Sequence, residues 1–180
     1  MTSILTGVFA SQISGHLYTL TGSYDALATV TVPSGGASSI TFSGIPQTGY
    51  KHLQVRMFLP ISNSFWVDMK ANATDSSYGH FLWGTGSAAS ASSYSSVYNS
   101  SVALTAGSAT TPTAAIIDIL DYANINKNKT FRTLSGFDAN GSGQIYLISN
   151  LYNSTSAINS LTFSGGTFTQ YAMFSLYGVK

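Results

Sequence analysis

One hexapeptide carries the oxygen-bearing side chains that calcium prefers. Residues 138–143 read Asp-Ala-Asn-Gly-Ser-Gly, which matches the opening half of a calcium-binding loop. The twelfth position, where such a loop needs a bidentate acid, is Ser149. The same stretch is typical of a hairpin turn, because Asn and Gly accept positive φ angles. We favour the turn over calcium and predict no metal site.

Residues that could serve as nucleophiles, bases or further ligands are scattered along the chain. His16, His52 and His80 lie far apart and lack ligand spacing, so each is interpreted as a surface or interface residue. Asp118 and Asp121 are interpreted as strand-end and turn residues. There is no Gly-x-Ser-x-Gly elbow, no phosphate-binding Gly-rich loop and no cysteine. The sequence therefore predicts neither a catalytic residue nor a cofactor, and the protein is expected not to be an enzyme.

Two tryptophans and a small basic cluster are the candidate binding residues of the sequence. Trp66 and Trp83 are candidates for stacking on a sugar ring. Lys127, Lys129 and Arg132 form the one local basic cluster, which we interpret as a solvated hairpin tip. With a net charge of +1, the chain lacks the basic footprint that nucleic acid requires. It also has no apolar stretch long enough to span a membrane.

Strands are the elements that must position these residues. All six acids are Asp, and Tyr, Phe, Thr, Val, Ser, Asn and Gly are abundant, which favours strands and turns over helices. Ala26–Val32 and Ser39–Phe42, joined by a turn at 33–36, are predicted to form a hairpin. Residues 84–112 are predicted to be a long surface loop, with at most a weak strand within 94–104. The alternating segments predict an antiparallel β-sandwich of jelly-roll type with roughly nine or ten strands.

The two ends of the chain carry different patterns. Residues 1–24 contain scattered apolar side chains without clean alternation and are predicted to be an arm that docks on a neighbour. Its candidate interface residues are Phe9, Ile13 and Leu17. Residues 25–180 are predicted to be a single β-sandwich domain. Its last strand, 172–179, is expected to be an interior strand covered on both faces, with Phe174 and Leu176 in the core and Tyr177 on the opposite face or at a subunit contact.

Charge is scarce. Only 7% of the 180 residues are charged, against roughly a quarter in average soluble proteins. A neutral surface rich in hydroxyl and aromatic groups favours lasting contact with copies of the same chain or with a larger assembly.

Three segments resemble a widespread group of small structural proteins encoded by tailed, largely marine bacteriophages. They are ATVTVPSGGASSITFSGIPQTGYKHLQVR, NKNKTFRTLSGFDANGSG and FTQYAMFSLYGVK, and the terminal Phe-x-Leu-Tyr-Gly-Val-Lys is the most distinctive. The resemblance implies a virion component made in the cytoplasm of a bacterial host and assigns no catalytic residues.

The leading hypothesis from the sequence is a structural accessory protein of a tailed-phage virion, assembled as a homotrimer. Its expected place is the capsid exterior, where it would act as a decoration or cement protein on the major capsid protein. The first alternative is a tail or tail-fibre module that binds a host-surface glycan. The second is a glycan-cleaving enzyme.

Overall fold

Strands and turns build the whole of the chain that can be described. A computed structural model describes residues 23–73, 77–85, 88–94, 100–140 and 142–180. These residues contain twelve strands and no helix, which confirms the all-β prediction. The strands are β1 (Tyr24–Thr31), β2 (Ile40–Ser43), β3 (His52–Leu59), β4 (Trp66–Ala71), β5 (Ser77–Thr85), β6 (Ala88–Tyr94), β7 (Ser100–Leu104), β8 (Thr113–Ile119), β9 (Lys129–Asp138), β10 (Gly143–Tyr152), β11 (Ser160–Ser164) and β12 (Met173–Val179).

The strands form two antiparallel sheets. The large sheet has eight strands in the order β1-β12-β3-β8-β9-β10-β5-β6, and the small sheet has four in the order β2-β11-β4-β7. Buried side chains of both sheets belong to one core cluster. Phe163 on the small sheet meets Phe174 on the large sheet, with ring centroids 5.4 Å apart. This arrangement is consistent with a β-sandwich.

Two local predictions about strands were wrong. The turn at 33–36 forms, since the Gly36 N–H donates to the Pro33 carbonyl at 3.0 Å, but β1 and β2 are not paired. β1 pairs with β12 and β2 with β11, so the turn transfers the chain from one sheet to the other. In the segment 84–112, β7 lies within the range 94–104 that was predicted to hold a weak strand, but β6 replaces part of the predicted loop; the two strands pair with β4 and β5. Backbone pairing with a neighbouring strand keeps these Ser- and Ala-rich segments extended, although their side chains carry little strand signal.

The terminal motif is explained by packing around β12. β12 pairs with β1 and β3, as expected of an interior strand, and Phe174 and Leu176 are buried in the core. Gly178 lies under the Tyr50 ring, where an added Cβ would come within 2.5 Å of ring carbons. On the other face Ser175 is buried and Tyr177 and Val179 are half-buried, while Met173 is 40% exposed, so the described residues cover that face of β12 only in part.

Candidate functional site

An apolar band crosses the face of the large sheet that points away from the core, which we call the outer face. The strand register places Ile116, Leu134, Leu147 and Leu82 side by side on β8, β9, β10 and β5. Their exposed fractions are 43%, 56%, 52% and 56%. In the adjacent row, Met173 and Phe58 are paired and Ile145 follows on β10, all of them exposed. The apolar band comprises Phe58, Leu82, Ile116, Leu134, Ile145, Leu147 and Met173.

Two shallow depressions follow this band, so the outer face is concave there. The larger, of about 730 Å³, lies over β5, β6, β9 and β10. Its lining is His80, Leu82, Ala91, Ser92, Ser93, Arg132, Leu147, Ile148 and Ser149. The second, of about 400 Å³, continues toward β3 and β8 and includes Ile116, Leu134 and Ile145. Apolar side chains thus line the middle of a groove, with polar groups at both ends: His80 and Arg132 at one, and Arg56 at the other.

A polar border lies beside the band toward β1. The Arg56 guanidinium lies over two rings, 4.5 Å from the centroid of Tyr177 and 5.5 Å from that of Tyr24. Its Nε donates to Gln54 Oε1 at 2.8 Å, and Gln54 Nε2 donates to Asp118 Oδ1 at 2.8 Å. These contacts fix the border side chains and separate the start of β1 from the apolar band.

The candidate binding residues from the sequence fall in different places. Tyr177 lies on the outer face, half-buried under Arg56. Trp66 and Trp83 are both half-buried and come together around Tyr146. The Trp66 ring meets the Tyr146 ring edge-on at 5.1 Å, and Trp83 is the register partner of Tyr146. The arm candidates Phe9, Ile13 and Leu17 lie outside the described residues.

Polar clusters elsewhere have structural partners. The Asp121 carboxylate accepts a hydrogen bond from Lys127, and this bond lowers the carboxyl pKa against the opposing effect of burial. His52 Nδ1 accepts from the Asp121 backbone N–H at 2.9 Å and lies 3.6 Å from its Oδ1. Within the described ranges, no group of three or more metal-ligating side chains comes together.

The two remaining sequence interpretations had opposite outcomes. The turn at 138–143 is confirmed, because Asn140 has a φ of 57° and its N–H donates to Asp138 Oδ1 at 2.9 Å. The interpretation of the basic cluster as a solvated hairpin tip was wrong for Lys129, which is fully buried. Its Nζ donates to the carbonyls of Ser156 at 2.6 Å and Ser154 at 3.3 Å, and burial lowers its pKa. These two carbonyls supply the hydrogen bonds that make the buried ammonium tolerable.

Sequence reasoning missed the apolar band, although β10 carried a signal for it. Within 144–152, Tyr146, Ile148 and Tyr152 point inward, while Ile145 and Leu147 point outward. Apolar residues at both parities of a strand indicate two covered faces. The core covers one face of β10, and nothing among the described residues covers the other.

The described residues include no helix with the length and apolar character needed to cross a membrane. No protein-family model, curated protein or solved structure matches the chain.

Proposed function

We propose that the protein is a non-enzymatic structural subunit that works by assembling with copies of itself and with a larger particle. The single observation that carries this proposal is the apolar band on the outer face of the large sheet. By strand and residue spacings the band covers roughly 25 Å by 14 Å, which is the order of the largest exposed apolar patch on a typical soluble protein, and such patches are often functional. Because only 7% of the residues are charged, the chain has few charged groups whose repulsion would oppose association through this patch.

The order of the strands supports a finer proposal, that the fold is of jelly-roll type. Without the hairpins β5-β6 and β9-β10, the sheets reduce to β1-β12-β3-β8 and β2-β11-β4-β7. In both sheets, an early strand lies beside a late one, as two nested Greek keys require. The two hairpins then extend one sheet, and they supply three of the six strands under the band, β5, β9 and β10. The band thus begins on the basic sandwich, at β12, β3 and β8, and continues onto the two hairpins.

The particle we propose is a tailed-phage virion, in keeping with the resemblance of three segments to phage structural proteins. The protein would be made in the host cytoplasm and would join the capsid exterior as a trimeric decoration or cement protein on the major capsid protein. Capsid decoration needs a stable subunit with a contact surface and needs no chemistry at that surface. The apolar band and the fixed side chains of the polar border suit that role.

Copy number in purified virions of the encoding phage tests this proposal. Quantitative mass spectrometry, with the major capsid protein as internal reference, should find hundreds of copies per particle. Absence from the virion would overturn the proposal. A handful of copies would move the protein to the tail.

A tail or tail-fibre module that binds a host glycan is the second candidate. The polar end of the larger depression favours it, because His80, Arg132, Ser92, Ser93 and Ser149 provide hydroxyl, imidazole and guanidinium groups beside apolar walls. Titration with host surface polysaccharide should then show saturable binding that Arg132→Ala weakens. Binding that Arg132→Ala leaves unchanged would exclude this depression as the glycan site.

A further inference from the structure

We propose that the apolar band is the docking site for the N-terminal segment, residues 1–22, of a neighbouring copy of this chain. The inference rests on the proposed self-assembly and names the contact that would produce it. Four observations carry it: the chemistry of the band, its shape, the length of the segment, and the direction from which the chain enters β1.

The chemistry of the segment matches that of the band. Residues 1–22 contain no Asp, Glu, Lys or Arg, and they include Ile4, Val8, Phe9, Ile13 and Leu17. The band is likewise built from uncharged side chains, so the segment can cover it without leaving a buried charge unpaired. Burying large apolar side chains of both partners supplies the driving force for docking.

The shape and size of the band favour a single segment over the same face of a second copy. Two concave faces pressed together would enclose the depressions of about 730 and 400 Å³ as voids. The band, at roughly 350 Å² in projection, is also less than half of the roughly 800 Å² per partner that a stable dimer typically buries. A single strand or helix laid along the groove fills the two depressions and requires no contact area beyond them.

The segment is long enough to cover the band and still connect two subunits. From β12 to β5 the band spans five strand spacings, or roughly 24 Å. The 22 residues before Ser23 extend to roughly 73 Å as a strand and roughly 33 Å as a helix. In either form some of the segment remains to bridge from one subunit to the next.

The direction of the chain at β1 favours docking on a neighbour over docking on the same subunit. The Ser23 carbonyl accepts from the Lys180 N–H at 3.1 Å, so Ser23 continues the line of β1. The chain therefore arrives from beyond the Tyr24 end. The band crosses the sheet level with Thr29 and Thr31, roughly 17–24 Å further along the strand. A segment folding back on its own subunit would have to reverse direction and cross the polar border around Arg56.

Docking of this kind makes a closed ring. Each copy donates a segment and receives one at a different surface, so the contact is heterologous and generates a ring wherever the rotation closes, as in a trimer. Every subunit in the ring then has its band covered. An open chain would leave one band bare at its end, which favours closure.

Two full-length variants test the proposal by complementation. The first carries Phe9→Asp and Ile13→Asp in the segment and keeps the band; the second carries Leu134→Asp and Leu147→Asp in the band and keeps the segment. Each alone should run as a monomer by light scattering, while the wild type is oligomeric. Ile125→Asp, at an exposed turn residue outside the band, is the control and should leave the oligomer unchanged.

Mixing the two variants is the decisive step. The intact segment of the band variant can dock on the intact band of the segment variant, so native mass spectrometry should show a species with one chain of each. Face-to-face pairing of two bands and docking within one subunit both predict that no such species forms. Absence of the mixed species would overturn the proposal. An oligomeric segment variant or a monomeric wild type would overturn it as well. Copy number in the virion is measured separately, so the virion role can survive this failure.

Discussion

Phe174→Ala is the sharpest test of the core. Phe174 on β12 is fully buried, and its ring lies 5.4 Å from the centroid of Phe163 on the small sheet and 4.9 Å from that of Phe168. Its removal empties a site between the sheets and breaks two aromatic contacts at once. Large-to-small changes of Phe in cores cost about 3–5 kcal/mol, and each aromatic pair contributes about 0.5–1.5 kcal/mol beyond its buried area. We therefore expect Phe174→Ala to lower the free energy of unfolding by about 4–5 kcal/mol, the upper half of the range for Phe in cores.

Thermal and urea unfolding followed by circular dichroism measure this cost. A loss of about 4–5 kcal/mol lowers the melting temperature by roughly 8–20 °C in a chain of this size. Leu151→Ala, on the outer face of β10 and outside the apolar band, is the control and should cost less than about 1 kcal/mol, since that side chain is 39% exposed. Equal losses for the two variants would refute the assignment of Phe174 to a core shared by both sheets.

Three further substitutions test backbone geometry and charge. Gly165→Ala should lower the urea midpoint strongly, because its Cβ would lie 2.0 Å from the Trp66 carbonyl oxygen at a φ of +132°; Gly35→Ala, with nothing within 4 Å, is the control, and matching midpoints would contradict the geometry. Lys129→Met tests the buried ammonium: its lowered pKa means that the unfolded chain binds more protons below about pH 10.4, so wild-type stability relative to the variant should rise with pH toward that value. If the difference in stability between wild type and Lys129→Met did not change with pH, Lys129 would be solvated in the folded protein. Asp121→Asn should remove the stability that the wild type gains above the unfolded carboxyl pKa of about 3.9 and loses as pH falls through the lower folded value. Parallel stability curves of wild type and variant below pH 4 would show that Asp121 has no such role.

The local pattern predicted strands well, because alternation reflects one buried face. Leu53, Val55, Met57 and Leu59 alternate with other residues along β3, and all four are buried. The same holds for Phe174, whose place in the core follows from its parity on a strand with apolar neighbours. The hairpin turn around Asn140 was equally readable, since few residues accept a positive φ.

Strand partners were beyond the sequence, because pairing joins segments far apart in the chain. The turn at 33–36 looks like a hairpin turn, but β12, more than 140 residues away, pairs with β1. Residues 88–93 of β6 are all Ala or Ser, and the strand is held extended by backbone pairing with β5. Lys129 looked solvated because its neighbours along the chain are polar, yet the residues that enclose it include the carbonyls at 154 and 156.

For the candidate site, one feature of the apolar band could be predicted from the sequence and another depended on the tertiary structure. The sequence by itself determined that β10 has apolar side chains on both faces, since this depends only on residues 144–152. It did not determine that Ile116, Leu134, Leu147 and Leu82 stand in one row, because that row depends on the register of four strands from distant parts of the chain. A slip of one residue in any of them would turn its side chain to the other face and break the band. Register is fixed by the tertiary packing of the core face, and the outer face inherits it.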